Sequence, residues 1–133
     1  MVKNIRTILC LSIITSKETN TVSYINSVEE LGVRKLPMRL PSFQLGTLWQ
    51  KIKGDDVFLK IRIKLRTPSG KIEQTFDVPE LKMQTKRHRY HMGFGGLLIK
   101  EEGTYFFIVE FFEKDKWKIA SEVPLEIRIL TNK

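Results

Sequence analysis

The sequence predicts an all-β chain: an antiparallel two-sheet β-sandwich of Ig/C2-like form, with eight or nine strands, at most one short helical turn, and a single domain over 1–133. Three observations lead there. Over residues 57–65 every odd position is aliphatic (Val57, Leu59, Ile61, Ile63, Leu65), while Lys60, Arg62, Lys64 and Arg66 hold even positions. A strand sends alternate side chains to opposite faces, so this run has one greasy face and one cationic face. Further apolar runs recur along the chain between polar turns, which is the spacing of sandwiches and, as a second choice, closed barrels. No long stretch carries a helical repeat.

The elements follow in order. Residues 5–14 form a strand that is apolar on both faces at its middle (Ile8, Leu9, Cys10, Leu11), which suits a covered, central position. Ser16-Lys17-Glu18-Thr19-Asn20 turns the chain into a partner strand over 21–26. Ser27-Val28-Glu29-Glu30 has the form of a capping box, and Gly32 follows closely, so a short helical turn is expected there. Pro37 and Pro41 bar a helix and favour an extended crossing between sheets. A strand over 42–50 then places Phe43, Leu45, Thr47 and Trp49 on one face, and residues 51–56 turn into the central hairpin.

That hairpin closes through Thr67-Pro68-Ser69-Gly70-Lys71, where proline presets φ and glycine accepts a positive φ. Ile72, Gln74, Phe76 and Val78 share one face of its return strand. Residues 81–91 read as a basic, irregular loop, followed by Gly93, Gly95 and Gly96 and the apolar Leu97, Leu98 and Ile99. After a turn at Lys100-Glu101-Glu102-Gly103, the most aromatic strand sets Tyr105, Phe107, Val109 and Phe111 against Phe106, Ile108, Glu110 and Phe112. Glu113-Lys114-Asp115-Lys116 turns into Trp117, Ile119 and Ala120, and a last strand starts after Pro124.

A chain of 133 residues is one domain by length and buries roughly two-thirds of its unfolded surface. No apolar run reaches the roughly 18 residues of a membrane span. Lys3 and Arg6 precede an apolar run, as in a secretory signal, but that run is short and no small-x-small site follows, so a first strand is the expected reading. The lone Cys10 makes no internal disulfide, which leans towards a reducing, cytoplasmic setting.

Charge is concentrated. Residues 57–92 hold nine basic residues against three acidic ones and supply most of the net charge of +8. Such a surface attracts nucleic acid, anionic lipid or an acidic protein, although lysine-rich strand faces also simply resist edge-to-edge aggregation. Within it, Lys86, Arg87, His88, Arg89, Tyr90 and His91 interleave cations with a ring, the combination used to hold single-stranded nucleic acid. Lys60, Arg62, Lys64 and Arg66 would extend that footprint if loop and hairpin lie side by side.

Catalytic chemistry finds little support. His88 and His91 are the only histidines; on a strand they face opposite ways, and no second cysteine or acidic cluster completes a metal site. The aspartates are too scattered for a calcium site of the C2 type. Gly93-x-Gly95-Gly96 lacks the lysine and following helix of a phosphate loop and reads as a bulge or close approach. No nucleophile, base and orienting acid assemble. The sequence therefore assigns no catalytic residue, metal or cofactor.

The early apolar strand Ile8-Leu9-Cys10-Leu11, the strand Thr21-Val22-Ser23-Tyr24-Ile25, the Leu40-Pro41 crossing, the Trp49 strand, the Pro-Ser-Gly hairpin and the Glu102-Gly103-Thr104-Tyr105 opening resemble a family of small uncharacterised prokaryotic β-sandwich proteins, a domain of unknown function. The resemblance covers nearly the whole chain, implies the sandwich, and transfers no catalytic residue. The expectation is a non-catalytic binding or adaptor domain for a protein partner, using its sheet surface or end loops. A nucleic-acid-binding protein is the second expectation, and an unpaired edge strand offers a route to a homodimer.

Overall fold

The computed structural model describes residues 2–52 and 57–130. All regular structure among them is β, in thirteen strands. The longer ones are β1 (Val2–Thr15), β2 (Val22–Ser27), β5 (Phe43–Lys51), β7 (Ile61–Arg66), β8 (Ile72–Asp77), β10 (Arg87–Phe94), β12 (Gly103–Glu113) and β13 (Lys116–Ile129). The short ones are β3 (Glu30–Val33), β4 (Met38–Arg39), β6 (Val57–Leu59), β9 (Leu81–Met83) and β11 (Leu98–Ile99).

A four-stranded sheet runs β10-β5-β1-β2, a five-stranded sheet runs β3-β13-β12-β7-β8, and β11-β4 and β6-β9 form two small ribbons. The two large sheets turn their apolar faces into one core. Leu9, Phe43, Leu45 and Trp49 enter it from the first, and Ile61, Ile63, Leu65, Tyr105, Phe107, Val109, Leu125 and Ile127 from the second. Phe43 meets Phe107 edge-on at 5.8 Å between ring centres, and Trp49 meets Phe111 at the same distance. Inside the core, Trp49 Nε1 donates to Thr47 Oγ1, which donates in turn to the carbonyl of Tyr90, both at 2.8 Å.

Several expectations need correction, each because long-range pairing overrode a local signal. The capping-box segment makes no helical turn. Asn26 swings the chain with a φ of 54°, the Val28 amide bonds the Leu9 carbonyl, and β3 pairs with β13 in parallel, so the sheets are not wholly antiparallel. The strand count exceeds eight or nine because β3, β4, β9 and β10 have no alternating pattern to announce them. The run 57–65 also divides at Lys60 into β6 and β7.

The segment 81–91 is no loop. It carries β9 and then β10, which pairs with β5 along its whole length. Ile72, expected inside, is 46% exposed. A register shift after Leu65 pairs Ile72 with Arg66 and so turns it to the cationic face. Pro124 does not interrupt β13. The amide of Glu126 points to the β3 side, bonding the Glu29 carbonyl, so the nitrogen of Pro124, two residues earlier, points the same way. β3 pairs only from Glu126 onward, and the missing proton is not needed. The expected turn at 51–56 lies largely outside the described residues.

Candidate functional site

The cationic row of β7 is built as its alternation dictates. Ile61, Ile63 and Leu65 are buried while Arg62, Lys64 and Arg66 point away from the core. Its charge is engaged locally. Glu110, opposite Arg62 on β12, accepts from Arg62 Nε at 2.6 Å and lies 3.2 Å from Lys64 Nζ. Burial alone would raise the Glu110 pKa, but the hydrogen bonds and charges of Arg62 and Lys64 outweigh it and hold the carboxyl below its ordinary value. The Arg62 guanidinium also stacks 4.0 Å from the Trp117 ring centre. Lys60 lies over Phe112 at 5.3 Å, and Arg66 lies over Phe106 at 4.8 Å and within 3.8 Å of Glu122.

The second group, on β10, lies on the other sheet. Its register sets His88, Tyr90, Met92 and Phe94 beside Trp49, Thr47, Leu45 and Phe43, all core residues or buried. These side chains therefore turn inward, and Tyr90 packs against the core. Arg87, Arg89, His91 and Gly93 take the outer face. Because the two sheets share one core, the Arg62 row and the Arg87–Arg89 pair face opposite ways. The structure does not bring them together, and Tyr90 is not an exposed stacking ring. Lys86 precedes the strand and is exposed; its carbonyl accepts from the Lys51 amide at 2.9 Å.

The structure instead joins Arg87 and Arg89 to residues that local sequence does not connect with them. The far half of the β1–β2 hairpin folds over the outer face of β5 and β10. Only glycine permits this at position 46, where a Cβ would stand 2.7 Å from Tyr24 Cε1 and 2.9 Å from Ile13 Cδ1. Between hairpin and sheet lies a groove of about 590 Å³, lined by Arg6, Asn20, Thr21, Val22, Tyr24, Leu48, Arg87, His88 and Arg89. Arg89 is held by Asn20, through Nη1 to Oδ1 at 3.1 Å and Nη2 to the carbonyl at 2.8 Å. Arg87 Nε donates to Gln50 Oε1 at 3.3 Å, and Arg6 lies 5.9 Å from the Tyr24 ring centre. None of the nine lining residues is acidic.

His91 packs edge-on to Tyr24, with ring centres 6.5 Å apart, and its Nε2 is buried without a partner among the described residues. Burial, then the charges of Arg89 and His88, push its pKa down. Burial raises the pKa of Cys10, whose Sγ lies 3.4 Å from the Ser12 carbonyl, so its reactive thiolate is disfavoured. Among the described residues, no group of three or more His, Cys, Asp or Glu is placed to hold a metal ion, and no helix is long and apolar enough to cross a membrane.

No protein-family model matches the chain, and no curated protein matches it. Among solved structures it is similar to the Pseudomonas fluorescens alkylpurine DNA glycosylase AlkC bound to DNA containing an abasic site analogue, with a TM-score of 0.58 at 8% identity. That match covers 96% of this chain and 30% of the glycosylase. It is also similar, at a TM-score of 0.38 and 11% identity, to the β-glucosidase from Listeria innocua in complex with gluconolactone, covering 94% of this chain and 16% of that one. At such identities the glycosylase likeness concerns the fold alone, and the looser glucosidase match carries no argument. Arg6, Asn20 and Tyr24 could not have been grouped with Arg87 and Arg89 from the sequence. More than sixty residues separate them, and only the folded-over hairpin brings them to one groove.

Proposed function

We propose that the two large sheets form an Ig/C2-like sandwich serving as a non-catalytic binding domain, which takes an acidic segment of a protein partner in the groove between the β1–β2 hairpin and β10. One observation carries this reading: Arg6, Arg87 and Arg89 line one groove with no carboxylate among its lining residues. Guanidinium groups bind carboxylates as planar forks, and Asn20 and Gln50 already orient two of the three.

A nucleic-acid interface would call for a continuous cationic track with exposed rings. The β7 cations that would extend it are engaged with Glu110 and Glu122 on the opposite outer face, and Tyr90 is turned inward. What remains is compact and suits a short anionic segment.

Binding of a Glu-rich peptide, measured beside single- and double-stranded DNA and RNA at two salt concentrations, tests the reading. The peptide should bind, and Arg87→Glu with Arg89→Glu should weaken it at least about tenfold, the loss of roughly 1.4 kcal/mol expected for charged contacts. Tight, steeply salt-dependent binding of oligonucleotides with none of the peptide would overturn it.

A further inference from the structure

The margin of the four-stranded sheet at β10 points to how the partner segment is held. Among the described residues, β5 is the only strand beside β10 in that sheet. In an antiparallel pair, backbone groups point alternately towards the partner and away from it. The bond from the Lys51 amide to the Lys86 carbonyl fixes the phase, and the register runs without a shift to Phe94. His88, Tyr90, Met92 and Phe94 therefore bond to β5, while Arg87, Arg89, His91 and Gly93 aim their N–H and C=O groups off the sheet. The Arg87 carbonyl is taken by Thr85 Oγ1. Among the described residues, no strand and no side chain bonds the outward backbone groups of Arg89, His91 and Gly93.

The surroundings of this edge are chemically divided. On the outer face stand the Arg87 and Arg89 guanidiniums, and a Cβ placed on Gly93 would meet nothing within 4 Å. On the inner side, a crevice of about 390 Å³ opens between the β10 and β8 margins, with Phe76, Phe94, Leu97 and Leu98 among its walls. Phe76 and Phe94 touch edge-on there, 5.1 Å apart. A strand laid along β10 would thus set every second side chain on the arginine face and the others on the inner side, where those near Phe94 meet the apolar walls of this crevice beside Arg39 and Gln74. Two β10 edges paired together would gather the Arg87 and Arg89 side chains of both copies on one outer face, where the groove lining holds no acid to offset them, so charge selects an acidic strand over a second copy of this chain.

We propose that β10 receives the partner's segment as a fifth strand of the four-stranded sheet, and that the segment alternates carboxylate with apolar residues. This deepens the proposed function and rests on it. Backbone bonding supplies affinity in such strand addition, and the alternate side chains supply selectivity.

The probe is a blocked octapeptide of alternating Glu and Val, compared with two isomers N-methylated at every Glu or at every Val. The parent should bind, one methylated isomer should bind at least about tenfold more weakly, and the amide protons of Arg89, His91 and Gly93 should become protected from exchange. If both methylated isomers bind like the parent while Arg87→Glu with Arg89→Glu abolishes binding, strand addition is overturned and the arginine groove stands. If the alternating peptide does not bind while the Glu-rich peptide does, strand addition is overturned and the arginine groove stands; if neither binds, both readings fall.

Discussion

Arg62 holds its guanidinium carbon 4.0 Å from the centre of the Trp117 ring while its Nε donates to Glu110 Oε1 at 2.6 Å. One arginine on β7 thereby crosses β12 and ties three strands together on the outer face. Glu110 is 8% exposed, so its carboxylate is the element that makes the packed cations tolerable.

Replacing that carboxylate should be costly. Glu110→Gln leaves Arg62 and Lys64 without their counter-charge and should lower unfolding free energy by about 1–3 kcal/mol, the cost of stranding a part-buried partner. Chemical denaturation of the two proteins checks it. Because the folded pKa of Glu110 lies below its ordinary 4.5, its contribution is complete above that value and is lost as pH falls through the depressed one. The variant should lack this acid-side loss.

Thr47→Val removes the only hydroxyl joining the indole N–H of Trp49 to the carbonyl of Tyr90. Both residues 47 and 49 are fully buried, so the orphaned N–H finds no water. Near-isosteric or not, the substitution should cost about 1–3 kcal/mol, read as a lower thermal midpoint and a changed tryptophan emission.

Gly46→Ala puts a methyl where Tyr24 and Ile13 now stand, inside 3 Å of both. The hairpin must lift away, at about 1–3 kcal/mol for overpacking. Stability and Glu-rich peptide binding should fall together, because the Arg89–Asn20 bonds depend on the folded-over hairpin. A Gly46→Ala protein that keeps full binding would show that the hairpin is not part of the site.

His91 sets a second pH window, distinct from that of Glu110. Its folded pKa lies below the ordinary 6.5, so the unfolded chain takes up the proton more readily. Stability should be full above about pH 6.5 and should decline as pH falls below it, with His88, also lowered by burial, adding to the slope. His91→Gln should flatten this decline without touching the Glu110 step at lower pH, as a denaturation series from pH 7 to 4 would reveal.

The β12–β13 turn carries two ordinary residues in the left-handed region, Lys114 at a φ of 53° and Asp115 at 61°. Asn-Gly suits paired positive φ values far better. Lys114→Asn with Asp115→Gly should raise stability by about 1 kcal/mol, measured as a shift in denaturation midpoint.

What was legible in the sequence were features that a few neighbouring residues settle among themselves. The alternation from Ile61 to Leu65 set which β7 side chains are buried, Thr67 to Lys71 closed the hairpin with Gly70 at a φ of 92°, and Phe43, Leu45, Thr47 and Trp49 fell on one buried face. The basic segment near residue 88 hid a strand because its side chains alternate arginine with histidine, tyrosine and methionine, a pattern with too little contrast to show period two. It became β10 because β5 offered it a complete register.

The sequence by itself determined an all-β chain, the inner and outer faces of its central strands, and the excess of positive charge, since each follows from side-chain chemistry over a few residues. Tertiary structure alone decided that the β7 cations are neutralised by Glu110 and Glu122, that Tyr90 turns inward, and that Arg6 meets Arg87 and Arg89 under a folded hairpin. Those outcomes depend on strand order and register between distant segments. No local pattern encodes them, because the partner of each charge lies tens of residues away along the chain.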